Sequence, residues 1–264
     1  MELRGTHAVL TGASRGIGQA LARGLARSGC SLALTALEAD ELAALVGELR
    51  GFGATADGLA CDLSDRAERE RFLAWLAGAE RPPDLLVNNA GLGHFGRFGA
   101  LELASVEREI AVNVAALVHL THALLPALAV RPAAMVVNIS SGMARLPYAG
   151  LAVYGGTKGF VSSFSESLAC DLAGTRVRVL CVHPGFTRTA FMASAGMDMR
   201  RVPRSMVHEP ERVAAAVVRA IRRGAGWTWS DALSRLGAAL GHLLPHRLRV
   251  AVFKGLFWRL PDER

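Results

Sequence analysis

Six short apolar runs alternate with six helical patterns along this chain, and few folds accommodate that rhythm. The runs lie near residues 6–11, 31–36, 54–61, 84–88, 134–140 and 177–183, with a weaker one near 226–229. The Ala- and Leu-rich patterns between them lie near 17–28, 40–50, 65–78, 103–126, 154–173 and 210–223. Parallel strands need a crossover connection, most often a helix, so strict alternation with short links predicts an α/β fold. The runs are continuously apolar, which predicts strands buried on both faces and hence a doubly wound parallel sheet. Ligands of such sheets bind beyond the carboxyl ends of the strands. Gly12, Asp62, Asn88, Ser141 and Pro184 all fall just past expected strand ends. That places one site on five loops.

The first of these loops reads Gly12-Ala13-Ser14-Arg15-Gly16-Ile17-Gly18, between an apolar run and a helix start. Glycines there let backbone approach a pyrophosphate, whose charge is met by amides at the helix N-terminus. The Gly-x-x-x-Gly-x-Gly spacing differs from the more familiar Gly-x-Gly-x-x-Gly, but the strand and helix context is correct on both sides. Further along, Tyr154 and Lys158 are four apart, one turn of helix from each other on the same face. A tyrosine titrates near 10 when unperturbed, and a neighbouring ammonium favours its phenolate, so Lys158 is expected to pull Tyr154 toward a useful range. Ser141 stands thirteen residues before the tyrosine, in Asn138-Ile139-Ser140-Ser141. Its hydroxyl suits a carbonyl or alcohol oxygen held beside the phenol.

Together these motifs resemble the short-chain dehydrogenase/reductase family, and further stations of its pattern follow in order from Thr6 to Gly224. Asn88-Asn89-Ala90-Gly91 resembles the turn after its fourth strand, Asn113 in Val112-Asn113-Val114 its fourth catalytic position, and Pro184-Gly185 with Thr189 its nicotinamide segment. The resemblance implies a Rossmann-type domain in which Tyr154 is the general acid in carbonyl reduction and the base in reverse. Lys158 would tune it and hold ribose hydroxyls, Ser141 would orient the substrate oxygen, with Ser140 the competing candidate, and Asn113 would hold a water in a proton relay. A helix-interior amide bonding backbone is the plain alternative for Asn113. The dinucleotide would contact Gly12, Ser14, Arg15, Gly16, Ile17, Gly18, Asp62, Leu63, Asn89, Ala90, Tyr154, Lys158, Pro184, Gly185, Thr187 and Thr189. Where most members carry Ala-Ser-Lys, this chain has Gly155-Gly156-Thr157-Lys158. The glycines either loosen the first turn or make room for a bulky substrate.

Cofactor choice rests on the end of the second strand, Leu34-Thr35-Ala36-Leu37-Glu38. An NAD enzyme places a ribose-binding carboxylate here, and Ala36 has none. Arg15 offers a guanidinium for a 2′-phosphate. NADP(H) is therefore expected over NAD(H), with Glu38 opening the next helix. His94 sits in a loop that lines the substrate cleft in relatives, and His183 before Pro184 is expected to be structural. Residues 186–206 match the family's mobile lid and carry Phe191, Met192, Met197, Met199 and Met206. Methionine supplies adaptable apolar surface, which suggests a hydrophobic carbonyl substrate such as a β-keto acyl lipid or a steroid-like ketone. An NADP-binding sensor without turnover is the alternative, though such relatives usually lose the tyrosine or lysine.

The 264 residues, 51% hydrophobic and 20% charged, suit one well-buried domain: a catalytic part over 1–225 and a basic amphipathic extension over 226–264. The net charge of +7 is concentrated at the C-terminal end, where nine Lys and Arg from Arg219 onward face three acids. A nucleic-acid partner is not expected. Trp227, Trp229, Leu233, Leu236, Leu240, Leu243 and Leu244, then Pro245, then Leu248, Val252, Phe253, Leu256, Phe257 and Trp258 give two helices at three-to-four spacing. Arg235, Arg247, Arg249, Lys254 and Arg259 accompany them. They could roof the cleft, form a homodimer or homo-oligomer, or lie on an anionic membrane surface. Cys30, Cys61, Cys170 and Cys181 show no metal or disulfide spacing and read as reduced buried thiols. Met1-Glu2-Leu3-Arg4-Gly5 runs directly into the first strand with no signal-peptide pattern, so the expected location is cytoplasmic, with possible contact to the inner face of a membrane.

Overall fold

The computed structural model describes residues 1–197 and 202–254. Met199 of the expected lid, and Leu256, Phe257, Trp258 and Arg259 of the second expected C-terminal helix, lie outside those residues, as does the side chain of Leu233. Seven parallel strands form one sheet in the order β3-β2-β1-β4-β5-β6-β7. They are β1 (His7–Thr11), β2 (Ser31–Ala36), β3 (Ala56–Ala60), β4 (Leu85–Asn88), β5 (Ala134–Ile139), β6 (Val177–His183) and β7 (Trp227–Trp229). The strand order reverses between β1 and β4, so the loops after these two strands diverge and leave a crevice.

Each strand feeds alternate side chains to two cores, as a sheet covered on both faces requires. Ala8 and Leu10 of β1 join one cluster with Leu21, Leu25, Leu45, Val213 and Val217, beneath helices α1 (Gly16–Arg27), α2 (Ala39–Gly51) and α8 (Pro210–Arg223). Val9 joins the other, with Phe72, Leu120, Leu124 and Leu128 of α3 (Arg66–Ala77) and α5 (Leu117–Ala129). The boundaries follow local chemistry. Asp65 accepts the Ala67 amide at 2.8 Å to cap α3, and α8 opens on Pro210 and ends at Gly224 with φ +64°.

One expected helix, 103–126, is interrupted. It runs as α4 (Leu103–Ile110), a π-helical turn (Ala111–Ala116) and α5. A π turn widens the helix locally and is frequent at functional sites. Here it holds Asn113. The remaining helices are α6 (Ala152–Asp171), which carries Tyr154 and Lys158, the short α7 (Ala190–Ser194), and α9 (Ala232–Leu243) and α10 (His246–Phe253) at the C-terminal end. The cysteine reading needs correction: Cys30, Cys61 and Cys181 are buried, but Cys170 is exposed, because it lies on the outer face of α6.

Candidate active site

A cleft of about 460 Å³ opens along the carboxyl edge of the sheet. Every residue expected to hold the dinucleotide or the substrate oxygen lines it, from Gly12 to Thr189; Asn113 lies just behind. The glycine loop is fitted to a close ligand. Gly12 and Gly16 adopt φ +64° and +55°, which side chains resist. A Cβ at Gly12 would come 2.8 Å from Ala90 Cα, one at Gly16 would come 2.8 Å from Thr189 Cγ2, and one at Gly18 would overlap the Gly12 carbonyl oxygen. The first turn of α1 has no acidic residue, leaving its amides and dipole free to favour an anion. The loop is pinned from β4: Asn89 Nδ2 donates to the carbonyls of Thr11 and Gly12 at 3.0 Å, and Thr11 Oγ1 accepts the amides of Asn89 and Ala90 at 3.0 Å. These contacts fit a bound pyrophosphate.

At the far end, beyond β2, Arg15 pairs with Glu41 and lies 3.4 Å from Glu38 Oε1. Glu38 precedes α2 as expected, but its carboxylate also accepts the Ser14 hydroxyl at 3.1 Å and faces the cleft. Asp62 accepts the Ser64 amide and hydroxyl and pairs with Arg108 at 2.8 Å. Burial pushes the Asp62 carboxyl up, and Ser64 and Arg108 outweigh it, holding the group below the usual carboxylate range.

Ser141, Tyr154 and Lys158 converge at the centre. Ser141 follows β5, its Oγ accepting the Met143 amide at 3.1 Å, and it lines the cleft beside Tyr154, whose phenol it lowers. Ser140 is otherwise engaged: its hydroxyl donates to the Lys158 carbonyl at 2.9 Å and meets Ser162 at 2.8 Å. Lys158 Nζ donates to the Ile139 carbonyl at 2.9 Å and lies 5.9 Å from the Tyr154 ring centroid. The expectation that the ammonium lowers the phenol is corrected. Burial pushes Tyr154 up to about 12, with Ser141 lowering it and Glu109 raising it further. Burial likewise pulls Lys158 down to about 8, against Cys181 and Glu109. Both groups have left water, and loss of hydration disfavours each charged form more than their separation lets them stabilise each other.

Asn113 behaves as a bonded interior amide. Its Oδ1 accepts the Leu92 amide and its Nδ2 donates to the Leu92 carbonyl, both at 2.8 Å, with Thr157 Oγ1 at 3.0 Å. Gly155 and Gly156 do not make room for substrate, since neither lines the cleft and a Cβ at Gly156 meets nothing within 4 Å. His183 is structural, fully buried between Trp227 and Trp229 at 4.2 and 4.8 Å, with burial pulling its imidazole down to about 3. His94 is not in the cleft wall; it pairs with Glu109 at 2.8 Å.

Two groups beside the site escaped notice in the sequence. Glu109 is one, four residues before Asn113 and on the same helix, a spacing that could have flagged it. Asp231 is the other. It caps α9 through the Ser234 amide at 2.7 Å, faces His208 at 3.4 Å and meets Ser230, whose hydroxyl accepts the Gly185 amide at 2.9 Å. No local pattern announces that junction. The substrate half of the cleft is walled by Leu92, Met143, Leu146, Phe186, Phe191 and Met192. The C-terminal helices close it through Gly237 and Phe253, the latter edge-on to Tyr148 at 5.6 Å.

A glycine loop over a helix N-terminus, with a buried Ser, Tyr and Lys beyond the next strands, defines a dinucleotide-dependent oxidoreductase. Comparison with known proteins names the group: a family model described as short chain dehydrogenase matches residues 6–200, and the chain belongs to that family of NAD(P)-dependent enzymes acting on CH–OH groups. It is 41% identical over 185 residues to serine 3-dehydrogenase of Agrobacterium fabrum, spanning 69% of this chain and 72% of that one. It is 38% identical over 185 residues to sulfoacetaldehyde reductase 2 of Chromohalobacter salexigens, spanning 69% and 73%. The structure resembles a short-chain dehydrogenase from Sphingobium yanoikuyae in complex with NADPH, with TM-score 0.81 and 31% identity over 90% of this chain and 93% of that one.

Proposed function

We propose that this protein is an NADP(H)-dependent reductase of a ketone or aldehyde carried on an apolar molecule, the reverse reaction being oxidation of a secondary alcohol. The carrying observation is the buried Tyr154 gathered with Ser141 and Lys158 in one cleft wall, beside an apolar pocket. A phenol pushed up to about 12 is fully protonated at neutral pH, the form that donates to a carbonyl oxygen. Ser141 holds that oxygen, and Lys158, an ammonium below about pH 8, holds the ribose side and restores the phenol's proton. The nicotinamide supplies the hydride when bound. Gly12, Ser14, Gly16 and Ile17 hold the pyrophosphate, Asp62 and Leu63 the adenine, Asn89 and Ala90 the adjoining ribose, and Pro184, Gly185, Thr187 and Thr189 the carboxamide.

NADP(H) is favoured because Ala36 offers no carboxylate and the Arg15 guanidinium would meet a 2′-phosphate, and because the Sphingobium neighbour carries NADPH. The substrate reading departs from the names of the relatives, whose amino acid and sulfonate substrates are small and charged. Among the described lining residues the charged ones are Arg15, Glu38, Asp62, Arg108 and Lys158, all on the dinucleotide side. A small anion would find no counter-ion in the apolar half, whereas β-keto acyl or steroid-like ketones would bury surface there. The inner face of α9 and α10 roofs this half. Their outer face, with Leu236, Leu240, Leu243 and Leu248 exposed beside Arg235, Arg247 and Arg249, is proposed as a homodimer contact in the cytoplasm, sedimentation being its test and liposome binding the competing outcome.

The deciding experiment follows NADPH and NADH consumption against ketones and aldehydes of graded chain length, with serine and sulfoacetaldehyde in the same panel and Tyr154→Phe as control. Activity should rise with chain length, prefer NADPH and fall about 10²–10⁴-fold in the variant. Turnover of only the small charged compounds would refute the substrate reading. NADPH binding with no turnover of anything would favour a sensor instead.

A further inference from the structure

Gly237 stands in the middle of α9, and a glycine inside a helix holds it less firmly than alanine would. Crowding explains some such glycines. A Cβ on Gly241, one turn later, would come 2.3 Å from Leu146 Cδ2 and 3.5 Å from Phe253, so that glycine lets α9 dock on its neighbours. A Cβ on Gly237 would meet nothing within 4 Å among the described residues. The same holds for Gly156 in α6, but Gly156 lies away from the cleft, whereas Gly237 lines it. At Gly237 the space beside the helix is therefore open to a ligand.

The helix leads from the reacting centre to solvent. At its start, a Cβ on Gly142, beside Ser141, would come 4.0 Å from Ser234 Cβ, and one on Gly185 would come 2.6 Å from Ser234 Oγ. Ser234 thus stands against the loops that flank Ser141 and the expected nicotinamide segment, and it lines the cleft. Gly237 is three residues on, about 4.5 Å further along the helix axis. It sits between a buried side, Ala238 and Gly241, and an exposed side, Leu236 and Leu240. Among the described lining residues beyond the dinucleotide side, the exposed ones are Ala190, Ser194 and Gly237, so the cleft meets solvent there. A cleft of about 460 Å³ suits one compact ligand and has to hold the end of the dinucleotide as well. A long apolar tail cannot be enclosed in it and has to leave.

We propose that Gly237 is a specificity-determining residue, whose missing side chain opens a gap through which the tail of an open-chain ketone leaves the cleft along α9. The inference rests on the apolar-ketone reading given above and narrows it to linear chains. Positions three and four apart on a helix face lie about 5–6 Å from each other, so one absent side chain makes a gap the width of an alkyl chain and too narrow for fused rings. Inside, the tail passes Leu146 and Phe253 and removes apolar surface from water. Past Gly237 it is in solvent, and further carbons add little. Activity should therefore climb with chain length and then level off, where a closed pocket would make it fall.

The test compares full-length wild type, Gly237→Leu and Gly237→Ala on 2-butanone, 2-hexanone, 2-octanone and 2-decanone with NADPH. Gly237→Leu should lose about tenfold or more in kcat/KM for 2-decanone and stay within about twofold for 2-butanone, with Gly237→Ala between. Gly237→Ala should also raise Tm by about 2–4 °C, because nothing in the fold needs the space. Equal losses on all the ketones, no loss on any, or a lower Tm in Gly237→Ala would each overturn the inference. Calorimetry of 2-decanone on the NADP⁺ complex, which cannot reduce it, separates the passage from the reaction. A wild type that reduces none of the ketones refutes the reductase reading. The passage then stands if wild type binds 2-decanone about tenfold or more tightly than Gly237→Leu does, and it falls if the two bind alike or neither binds.

Discussion

Replacing Lys158 with methionine should abolish activity and yet make the protein more stable at neutral pH. The side chain is fully buried, and its ammonium is pulled from 10.5 to about 8 by loss of hydration. A shift of that size corresponds to about 3 kcal/mol of penalty on the charged form. Below about pH 8 lysine is charged in both folded and unfolded chains, so the folded state carries the whole penalty. Between about pH 8 and 10.5 the folded protein sheds the proton first and the penalty disappears, so stability rises with pH across that window. Methionine of similar length removes the cost but strips the Ile139 carbonyl of its partner, at about 1 kcal/mol. The net gain at pH 7 should be about 2 kcal/mol, or about 5 °C in Tm for a chain of this size. Urea unfolding of wild type and variant at pH 6, 7, 8, 9 and 10, without added cofactor, gives the comparison. The buried thiols of Cys30 and Cys61 overlap this range but are common to both proteins, so they cancel in the difference. The gain should be constant to about pH 8 and vanish by about pH 10. A variant less stable than wild type at pH 7, or a difference independent of pH, would refute the assignment of a destabilised ammonium.

Other outcomes follow from the same geometry. Gly18→Ala sets a methyl against the Gly12 carbonyl oxygen and should cost about 1–3 kcal/mol and most NADPH affinity, read by urea unfolding and by fluorescence titration. Gly156→Ala meets nothing and lies inside α6, so it should stabilise by about 1 kcal/mol with kcat unchanged. Asp231→Ala removes the cap of α9 and the partner of His208 and Ser230; it should cost about 1–2 kcal/mol and raise KM for substrate, because the roof of the apolar pocket is anchored there. Arg15→Gln should raise KM for NADPH but not for NADH in steady-state assays; equal effects on both would remove Arg15 from the 2′-phosphate.

What could be seen in the sequence was whatever depends on neighbours along the chain. Strands 31–36 and 177–183 and the helix 210–223 were bounded to the residue, because apolar runs, Pro210 and Gly224 are local signals. The five loops that build the cleft were found for the same reason, since each follows a strand end. The π turn at Ala111–Ala116 was invisible, as an extra residue in a helix leaves its apolar periodicity almost intact. The protonation of Tyr154 and Lys158 was misread because spacing reports proximity and says nothing of hydration. Glu109 and Asp231 went unremarked because their partners, His94 and His208, lie 15 and 23 positions away in the sequence. Cys170 was misplaced by a single helical face.

The unsatisfied atoms point to where the protein concentrates its strain. Among the described residues, Asn88 Oδ1, Glu109 Oε1 and His183 Nδ1 are buried without a partner, and all three belong to the elements around α6. The backbone of Lys158 is meanwhile held redundantly: its carbonyl takes the hydroxyls of Ser140 and Ser162, Ser162 reaches His183, and Thr157 beside it takes Asn113. A destabilised ammonium would otherwise move toward water, because the lysine stem is long and flexible. Redundant anchoring of its helix denies it that escape and keeps Nζ where its charge is most costly. The cost is borne by the folded protein, and any ligand that bonds the ammonium recovers part of it. Affinity for such a ligand, and the pH at which Lys158 exchanges its proton, are therefore set by the same burial that weakens the fold.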